Sequence, residues 1–317
     1  MEEKDTAAES RQPISRKEAM FEAMMLGLRM NSGISGTDFQ RRFGTSIRSV
    51  YEAPLEQAVH RPSPFWTADG GYRLELENGE KITAMFPIQE FADDKFLFFV
   101  TRQGIAKRIV LSDLQNIRRA GLRALSLNED DALVDVRLTD GEQNILIATH
   151  EGKAICFDEN DVRPMGREAV GVRGIKLAGG DYVIGAARAR KDAYVLSVTE
   201  NGYGKRTPVE EFTVHHRGGG GIMLHSLTAK TGLVAGIAVV DSENDVMIIT
   251  DDGVIIRTGV EEIRECGRGS QGVIVMRTGA DVKVISIART DKEEEDETAE
   301  ESTGESAETT EETTDGE

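Results

Sequence analysis

The chain has 317 residues and a formal net charge of −18, with 30% charged residues and 39% hydrophobic residues. Fourteen acidic residues and one lysine lie between residues 291 and 317, so this tail carries −13 and the first 290 residues carry only −5. Two cysteines and five histidines exclude a disulfide framework and a cysteine-based metal site, and no apolar run reaches the roughly 20 residues that a membrane span needs.

The first 13 residues, "MEEKDTAAESRQP", are polar and are predicted to be disordered. They lack the apolar core of a secretory signal, which favours a cytoplasmic protein. Residues 14–75 then follow a mainly helical pattern. Ser15 and Glu18 are typical of a capping box ahead of the apolar run "AMFEAMMLGLRM".

Three further elements are predicted within residues 14–75. "SGTDFQRRFG" indicates a second capped helix that ends at Gly44, and "IRSVYEAPLEQAVH" indicates a third helix. "FWTADGGYRLEL" has the pattern of a hairpin that turns at residues 69–71.

From residue 76 to residue 290 the pattern changes to short β-runs that repeat four times. Each unit contains an apolar strand, a polar turn that ends in glycine, and a second strand, as in "YVLSVTENGYGKR". The turn glycines are separated by 48, 50 and 51 residues; they are Gly104, Gly152, Gly202 and Gly253. A second glycine follows each hairpin, and a third β-run closes each unit; these glycines are Gly121, Gly171, Gly221 and Gly272.

A repeat near 50 residues with about four strands predicts blades that must stack on their neighbours to bury their sheet faces. The predicted fold class is therefore mainly β, a partial β-propeller of about four blades. It is preceded by the helical segment and followed by a disordered acidic tail at residues 291–317.

Basic residues recur at fixed positions of this repeat. An arginine lies fifteen residues after every turn glycine: Arg119, Arg167, Arg217 and Arg268. A second basic position lies four residues after the glycine in three repeats, at Arg108, Arg206 and Arg257, with Cys156 in the remaining repeat. Further basic residues crowd the same loops: Lys107, Arg118, Arg123, Arg163, Arg173, Lys176, Lys205 and Arg264.

Equivalent positions of stacked blades lie at the same height on the rim, so these side chains predict a curved positive band. Such a band fits a bent polyanion that is bound through its phosphates. Glycines beside the arginines would let backbone amides approach phosphates; they are Gly121, Gly171, Gly218, Gly219, Gly220, Gly221 and Gly272. The alternative is that the arginines pair with the many nearby Asp and Glu residues.

No set of residues indicates catalysis, a metal site or a cofactor. "RGGGG" at 217–221 connects β-runs and lacks the helix of a nucleotide-binding loop. His215 and His216 are interpreted as solvated loop residues, and Cys156 and Cys266 as buried or half-buried small residues.

Residues 77–290 resemble the C-terminal domain of the DNA gyrase A protein. The resemblance rests on "NIRRAGLRAL", "DVRPMGREAVGVRGIKL", "TENGYGKRTPVEEF" and "GRGSQGVIVMRT". It implies a β-pinwheel that wraps double-stranded DNA around a basic rim and so supports supercoiling by a type IIA topoisomerase. It also implies the gyrase A and B proteins as partners, and an acidic tail after the last blade.

Two departures from that family bear on function. Only four of its six blades are present, and its active-site tyrosine domain is not, so the chain is not predicted to be catalytic by itself. By register, the equivalent of the family's Q-R-R-G-G-K-G loop is "HHRGGGG" at 215–221, where two histidines replace Gln and Arg. The resemblance therefore implies DNA binding with a degenerate wrapping loop. A truncated fusion that docks on gyrase subunits, or associates with itself through exposed blade edges, is the alternative.

Residues 16–73 resemble the helical, winged-helix-like end of oxygen-independent coproporphyrinogen oxidase-like radical-SAM proteins, through "EAMMLGLRMNSGI", "FQRRFG" and "WTADGGYRL". The cysteine motif that holds the iron–sulfur cluster of those enzymes is absent. Arg41 and Arg42 do not fit the repeat register, because Gly27, fifteen residues before Arg42, lies in a helical pattern. We predict that they form the solvated face of a helix, with Phe39 and Phe43 on its packed side.

Overall fold

A computed structural model describes residues 20, 34–50, 83–84, 86, 88, 90–117, 121–279 and 281–292. Residues 15–292 belong to one compact unit, and residues 1–14 and 293–317 lie outside the described residues. The predicted hairpin at residues 69–71 and the predicted disorder of residues 1–13 and of nearly all of the tail also lie outside them.

The predicted helix before Gly44 is confirmed as α1 (Gly36–Phe43). The side chain of Ser35 caps its N-terminus by accepting a hydrogen bond from the backbone N–H of Asp38. Gly44 ends the helix in the left-handed conformation, at φ 63°.

The two faces of α1 also match the prediction. Phe39 and Phe43 are 2% and 8% exposed, and their ring centroids are 4.7 Å apart. Arg41 lies on the exposed side and pairs with Asp38, while Arg42 lies over the Phe43 ring. These arginines therefore belong to an ordinary helix surface.

The four predicted hairpins are present, each made of two antiparallel strands. In chain order they are β1 (Phe96–Thr101) with β2 (Ile105–Val110), β4 (Asn144–Thr149) with β5 (Lys153–Asp158), β8 (Tyr194–Thr199) with β9 (Tyr203–Pro208), and β12 (Asn244–Thr250) with β13 (Ile255–Gly259). A short 3-10 helix follows each second strand, at Leu111–Leu114, Glu159–Asp161, Val209–Glu211 and Val260–Glu262.

The third strand of each repeat pairs antiparallel with the first strand of its own hairpin. These strands are β3 (Leu133–Thr139), β7 (Val183–Ala189), β11 (Val234–Val240) and β15 (Val284–Asp291). They face a central cavity of about 570 Å³. The inner end of every blade is therefore its third strand.

The fourth strand of a blade comes from the following repeat. These short strands are β6 (Val172–Arg173), β10 (Ile222–Met223) and β14 (Val273–Ile274), and each pairs with the second strand of the preceding hairpin. The strand orders are β3-β1-β2-β6, β7-β4-β5-β10 and β11-β8-β9-β14, whereas the last blade has three strands in the described part of the chain, β15-β12-β13. The predicted fold class is confirmed as a mainly β protein with four propeller blades.

The hydrophobic core lies between successive blades. Phe98 of blade 1 packs against Ile145, Ile147 and Phe157 of blade 2, and the two phenylalanine rings lie 6.2 Å apart. Similar clusters join blade 2 to blade 3 and blade 3 to blade 4. Each fully buried side chain of this size contributes roughly 1.5–3 kcal/mol, so blade stacking stabilises the fold and places every outer loop relative to its neighbour.

Both cysteines have the predicted environment, since Cys156 is buried and Cys266 is half-buried. Burial raises the pKa of the Cys156 thiol to about 11, which leaves it protonated and unreactive at neutral pH. Among the described residues, no helix is long and apolar enough to span a bilayer, and no cluster of His, Cys, Asp and Glu has the makings of a metal site.

Candidate nucleic-acid interface

The candidate interface is the outer edge of the blades, where a loop from each of repeats 2 to 4 crosses onto the preceding blade. A backbone hydrogen bond of 2.9 Å recurs at each crossing: from Met165 N to Arg108 O, from His215 N to Cys156 O, and from Cys266 N to Arg206 O. The repeat thus presents the same loop, in the same orientation, on consecutive blades.

Two of the recurring arginines hold the same position in these loops. The Arg217 backbone N–H donates to Asp161 Oδ2, its Nε donates to Asp161 O, and its Nη1 donates to Arg173 O, at 3.2, 2.8 and 3.1 Å. Arg268 repeats the pattern, with its backbone N–H donating to Glu211 Oε2 at 3.1 Å and its Nη1 donating to Met223 O at 3.3 Å. Both side chains are half-buried, so part of each guanidinium still faces solvent.

Arg167 occupies the equivalent position one blade earlier and is exposed. Its side chain has no hydrogen bond or ion pair with any residue that the structure describes. Arg118 and Arg119 lie outside the described residues. The structure therefore brings Arg167, Arg217 and Arg268 to one outer edge, with Arg167 the most available for a ligand.

Carboxylates accompany the arginines on this edge. Asp161 and Glu211 occupy equivalent places two residues after the start of each 3-10 helix, and Glu211 Oε2 also lies 3.8 Å from Arg268 Nε. The pairing that the sequence offered as an alternative is thus present for Arg268, whereas the Asp161 carboxylate contacts the backbone N–H of Arg217 and not its guanidinium. Because the Arg268–Glu211 pair is partly exposed, it holds the guanidinium in place without removing it from solvent.

Several predicted binding residues face inward instead. Lys107 and Lys205 are fully buried, and Arg108 is only 4% exposed. Arg108 donates to Glu159 and Asn160, and Arg257 donates to Asp245 and to Asp291 O. We withdraw Lys107, Arg108 and Lys205 from the interface, because phosphates cannot reach buried donors that carbonyls or carboxylates already occupy.

Arg206 is half-buried, and its guanidinium carbon lies 4.9 Å from the centre of the Tyr194 ring. Its backbone N–H donates to Arg264 O, on the crossing loop. Arg206 thus lines the inner side of the crossing loop rather than its exposed surface, whereas Arg257 bonds to residues of its own blade.

Exposed cations lie on the first two repeats and again on repeat 4. Arg123, Arg163, Arg173 and Lys176 are all exposed, and Arg264 and Arg277 are exposed at the positions of repeat 4 that match Arg163 and Lys176. At the position that Arg173 has on the outermost strand of blade 1, blade 2 has Met223 and blade 3 has Ile274, and these side chains are 45% and 52% exposed. The edge therefore carries exposed cations along blades 1 to 3, with an exposed apolar residue on the outermost strand of blades 2 and 3.

Three of the seven predicted loop glycines, Gly171, Gly221 and Gly272, have a packing reason that the sequence did not reveal. A Cβ on Gly171 would lie 2.6 Å from Ala106 O, and a Cβ on Gly272 would lie 2.4 Å from Gly204 O. Glycine is required there because the loop backbone touches the preceding blade. Gly220 differs, since nothing lies within 4 Å of its Cβ position, and it stays open to a close approach of phosphate.

Sequence reasoning missed the arginines of the inner strands. Arg137, Arg188, Arg190 and Arg289 line the central cavity. Arg137 pairs with Asp135 and Arg190 with Asp241, at 2.7 and 3.0 Å. The available signal was an arginine near the end of three of the four closing β-runs, "ALVDVRL", "YVIGAAR" and "VKVISIAR".

Each of the first three blades takes its fourth strand from the following repeat, and arginines lie on the crossing loops. These features define a propeller repeat domain with a cationic outer edge. The family described as "DNA gyrase C-terminal domain, beta-propeller" matches residues 95–140, 143–190, 193–241 and 244–291, and the chain belongs to this family. Each match covers one of the four repeats.

The DNA gyrase A protein of Staphylococcus aureus (strain NCTC 8325 / PS 47) is 46% identical to this chain over 230 residues, which are 72% of this chain and 26% of the relative. The gyrase A protein of strain MRSA252 is 46% identical over 231 residues, which are 71% of this chain and 26% of the relative. The chain thus spans about a quarter of the length of these curated relatives.

Two solved structures have a similar fold. The C-terminal domain of DNA topoisomerase IV superposes with a TM-score of 0.65 at 30% identity, over 69% of this chain and 68% of that chain. The DNA gyrase A C-terminal domain superposes with a TM-score of 0.62 over 68% of this chain and 72% of that chain, and its 24% identity supports the fold alone. Residues 14–62 match a separate family, the HemN C-terminal domain.

Proposed function

We propose that the blades form a DNA-binding module that takes up duplex DNA along the outer edge through its phosphates. The observation that carries the proposal is the recurrence of Arg167, Arg217 and Arg268 at one position of consecutive crossing loops. A row of guanidinium groups at one position of successive blades suits a bent phosphate backbone and carries no base readout.

The geometry of the loops adds support. The Arg217 side chain donates two hydrogen bonds to backbone carbonyls of the neighbouring repeat and the Arg268 side chain donates one, which reduces the side-chain entropy lost when a phosphate binds. The exposed Arg123, Arg163 and Arg173 extend the row on the side of the exposed Arg167. DNA should therefore contact the outer edge along blades 1 to 3.

Kinship with gyrase A and topoisomerase IV domains supports a role in DNA topology. In this role the chain holds or bends DNA in support of a gyrase-type enzyme, and other gyrase subunits are its partners. Binding that bends the duplex should change the linking number of a plasmid that is relaxed in its presence by a type I topoisomerase. An unchanged linking number together with tight binding would show that the chain binds DNA without bending it.

A salt titration tests the binding itself. Fluorescence anisotropy of a labelled duplex would be measured between about 50 mM and 200 mM salt, where six phosphate contacts predict a log–log slope of about −5. The six are those of Arg123, Arg163, Arg167, Arg173, Arg217 and Arg268. A slope near zero would contradict the proposal.

Association with a second copy is the other candidate function, because the last blade has an unpaired edge in the described part of the chain. Within those residues, β13 lacks the fourth-strand partner that the second strands of blades 1–3 possess. Val254, Ile255 and Ile285 of this blade are 47%, 53% and 57% exposed. Unpaired apolar strand edges favour pairing with another chain, and a twofold axis would join two β13 strands in antiparallel fashion.

Light scattering on the purified chain discriminates this candidate. A dimer that becomes a monomer on Ile255→Lys, with DNA affinity retained, would support edge pairing. A concentration-independent monomer would contradict it.

A further inference from the structure

Two lysines are fully buried at the same position of alternate repeats, three residues after the turn glycine. Lys107 Nζ donates to the carbonyl oxygens of Ala124, Arg167 and Ala169, at 2.8, 2.7 and 2.8 Å. Lys205 Nζ donates to those of Gly267, Arg268 and Ser270, at 2.9, 2.6 and 2.9 Å. An ammonium group has three donors, and each of these donors has a carbonyl acceptor.

All but one of the acceptors belong to the crossing loop of the next repeat, and each set includes the carbonyl of a recurring arginine. Lys107 thus reaches across the blade boundary to the loop of Arg167, and Lys205 to the loop of Arg268. A buried ammonium is costly unless it is hydrogen-bonded, so each lysine constrains its loop to keep three carbonyls converged on one point.

The blade itself does not depend on this lysine. Repeats 2 and 4 have Ile155 and Ile256 at the same position. Ile155 is buried and belongs instead to the apolar cluster between blades 1 and 2. An aliphatic side chain at this position is therefore compatible with a folded blade.

We propose that Lys107 and Lys205 are positioning residues for DNA binding, which clamp the backbone of the loops that carry Arg167 and Arg268. The clamp fixes the backbone position of each arginine, and this position determines where its guanidinium contacts a phosphate. This role rests on the proposed function, whereas the clamp itself can be measured without DNA.

The clamp is sensitive to pH because only the ammonium form has three donors. Burial lowers the pKa of Lys205 to about 8, and Cys266, Glu211 and Arg268 are the charged or titratable groups that act on it. His225 also faces it, and its own pKa is lowered by burial and by Lys205. Burial likewise lowers the pKa of Lys107, against the opposing charge of Glu168. The neutral amine has two N–H groups, so one loop carbonyl loses its donor once the pH exceeds about 8.

Lys205→Ile in the full chain tests the proposal, since isoleucine already occurs at this position in repeats 2 and 4. Lys191→Ile is the matched control, because Lys191 is exposed and the variant makes the same charge change. Hydrogen exchange without DNA reports on the loop through the amides of Cys266 and Ser270, which donate to Arg206 O and Gly267 O. Duplex affinity is measured in parallel at several pH values on both sides of 8.

We expect faster exchange at these two amides in Lys205→Ile, and a duplex affinity weaker by about 5- to 30-fold at neutral pH, as the loss of one or two kcal/mol implies. Wild-type affinity should fall as the pH rises through 8, the Lys191→Ile control should fall in parallel, and Lys205→Ile should lack this step. If Lys205→Ile does not fold, Lys205→Met and the wild-type pH profile carry the same test.

Unchanged affinity and an unchanged pH profile in Lys205→Ile, with faster amide exchange, would overturn the positioning role and leave a structural lysine. Unchanged exchange would overturn the clamp. A wild-type chain that binds no duplex at any pH overturns the proposed function and the positioning role together, and the exchange data then still establish whether the clamp exists.

Discussion

Arg108 of blade 1 and Glu159 of blade 2 form an ion pair at 3.3 Å in which both side chains are buried. Glu159 also accepts from the Thr139 hydroxyl and from the backbone N–H groups of Gly141 and Gln143, at 2.6, 2.9 and 2.9 Å. A single carboxylate thus ties the hairpin of blade 1, its third strand and the start of blade 2.

Glu159→Gln should destabilise the protein by about 3 kcal/mol, because it leaves the buried Arg108 guanidinium without its counter-charge. Urea unfolding followed by far-UV circular dichroism would measure it. Arg190→Gln is the control: its pair with Asp241 is 38% and 41% exposed, so a change below about 1 kcal/mol is expected. Equal losses in the two variants would show that burial of the pair does not matter.

Gly272→Ala should undock the crossing loop of repeat 4. The new Cβ would lie 2.4 Å from Gly204 O, and the residue has φ 70°, which costs about 1–3 kcal/mol in strain. Gly220→Ala is the matched change, with nothing within 4 Å of its Cβ position, and should leave the melting temperature unchanged. A normal melting temperature for Gly272→Ala would mean that the loop can shift without cost.

Arg167→Gln should weaken duplex binding and reduce the magnitude of the log–log salt slope by about 1, as expected for the loss of one phosphate contact. Arg188→Gln removes the same charge from an exposed side chain in the central cavity and should leave the slope unchanged. An equal effect of the two substitutions would point to net charge, rather than to the outer edge, as the cause of binding.

Deletion of residues 293–317 should strengthen duplex binding. The segment contains thirteen acidic residues, so its loss brings the net charge from −18 to −5. The deletion starts after Lys292 because Asp291 still pairs with Asn244 in β15. We expect a gain of roughly tenfold at low salt, measured by anisotropy, that shrinks as salt screens the charges. No gain at any salt concentration would argue against an electrostatic effect of the tail.

His225 should make the protein sensitive to acid. It is 2% exposed, it bonds to Ser197 Oγ and Gln271 O, and burial lowers its pKa from 6.5 to about 4. Because the unfolded chain binds more protons between these two values, the free energy of unfolding should fall as the pH drops from 6.5 to about 4 and level off below. His225→Gln should flatten this slope in urea titrations. If the free energy of unfolding of His225→Gln depends on pH as it does in the wild type, another titratable group causes the acid sensitivity.

Local patterns predicted the individual elements well. Ser35 and Gly44 mark the ends of α1, and the turn glycines mark each hairpin, because capping and tight turns depend on residues that are adjacent in sequence. The register of Arg167, Arg217 and Arg268 also followed from the repeat, since equivalent residues of stacked units occupy equivalent places.

Side-chain direction could not be predicted in the same way. Lys107 and Lys205 resemble surface residues in a basic loop, but the next repeat covers them, and its carbonyls accept their hydrogen bonds. The loop glycines resembled phosphate contacts, yet Gly171 and Gly272 serve the approach of two backbones. Each of these outcomes depends on a neighbour about 60 residues away in sequence, as in the pairing of Lys205 with Arg268, which are 63 residues apart.

The sequence by itself determined the repeat, the hairpins, the position of the arginines within each repeat and the concentration of negative charge in the tail, because these depend on composition and spacing. Only the tertiary structure decided which cations face solvent. In each of the first three blades, the fourth strand and the crossing loop come from the following repeat. The carbonyl oxygens of these loops cover some basic side chains, and other basic side chains remain exposed at the outer edge.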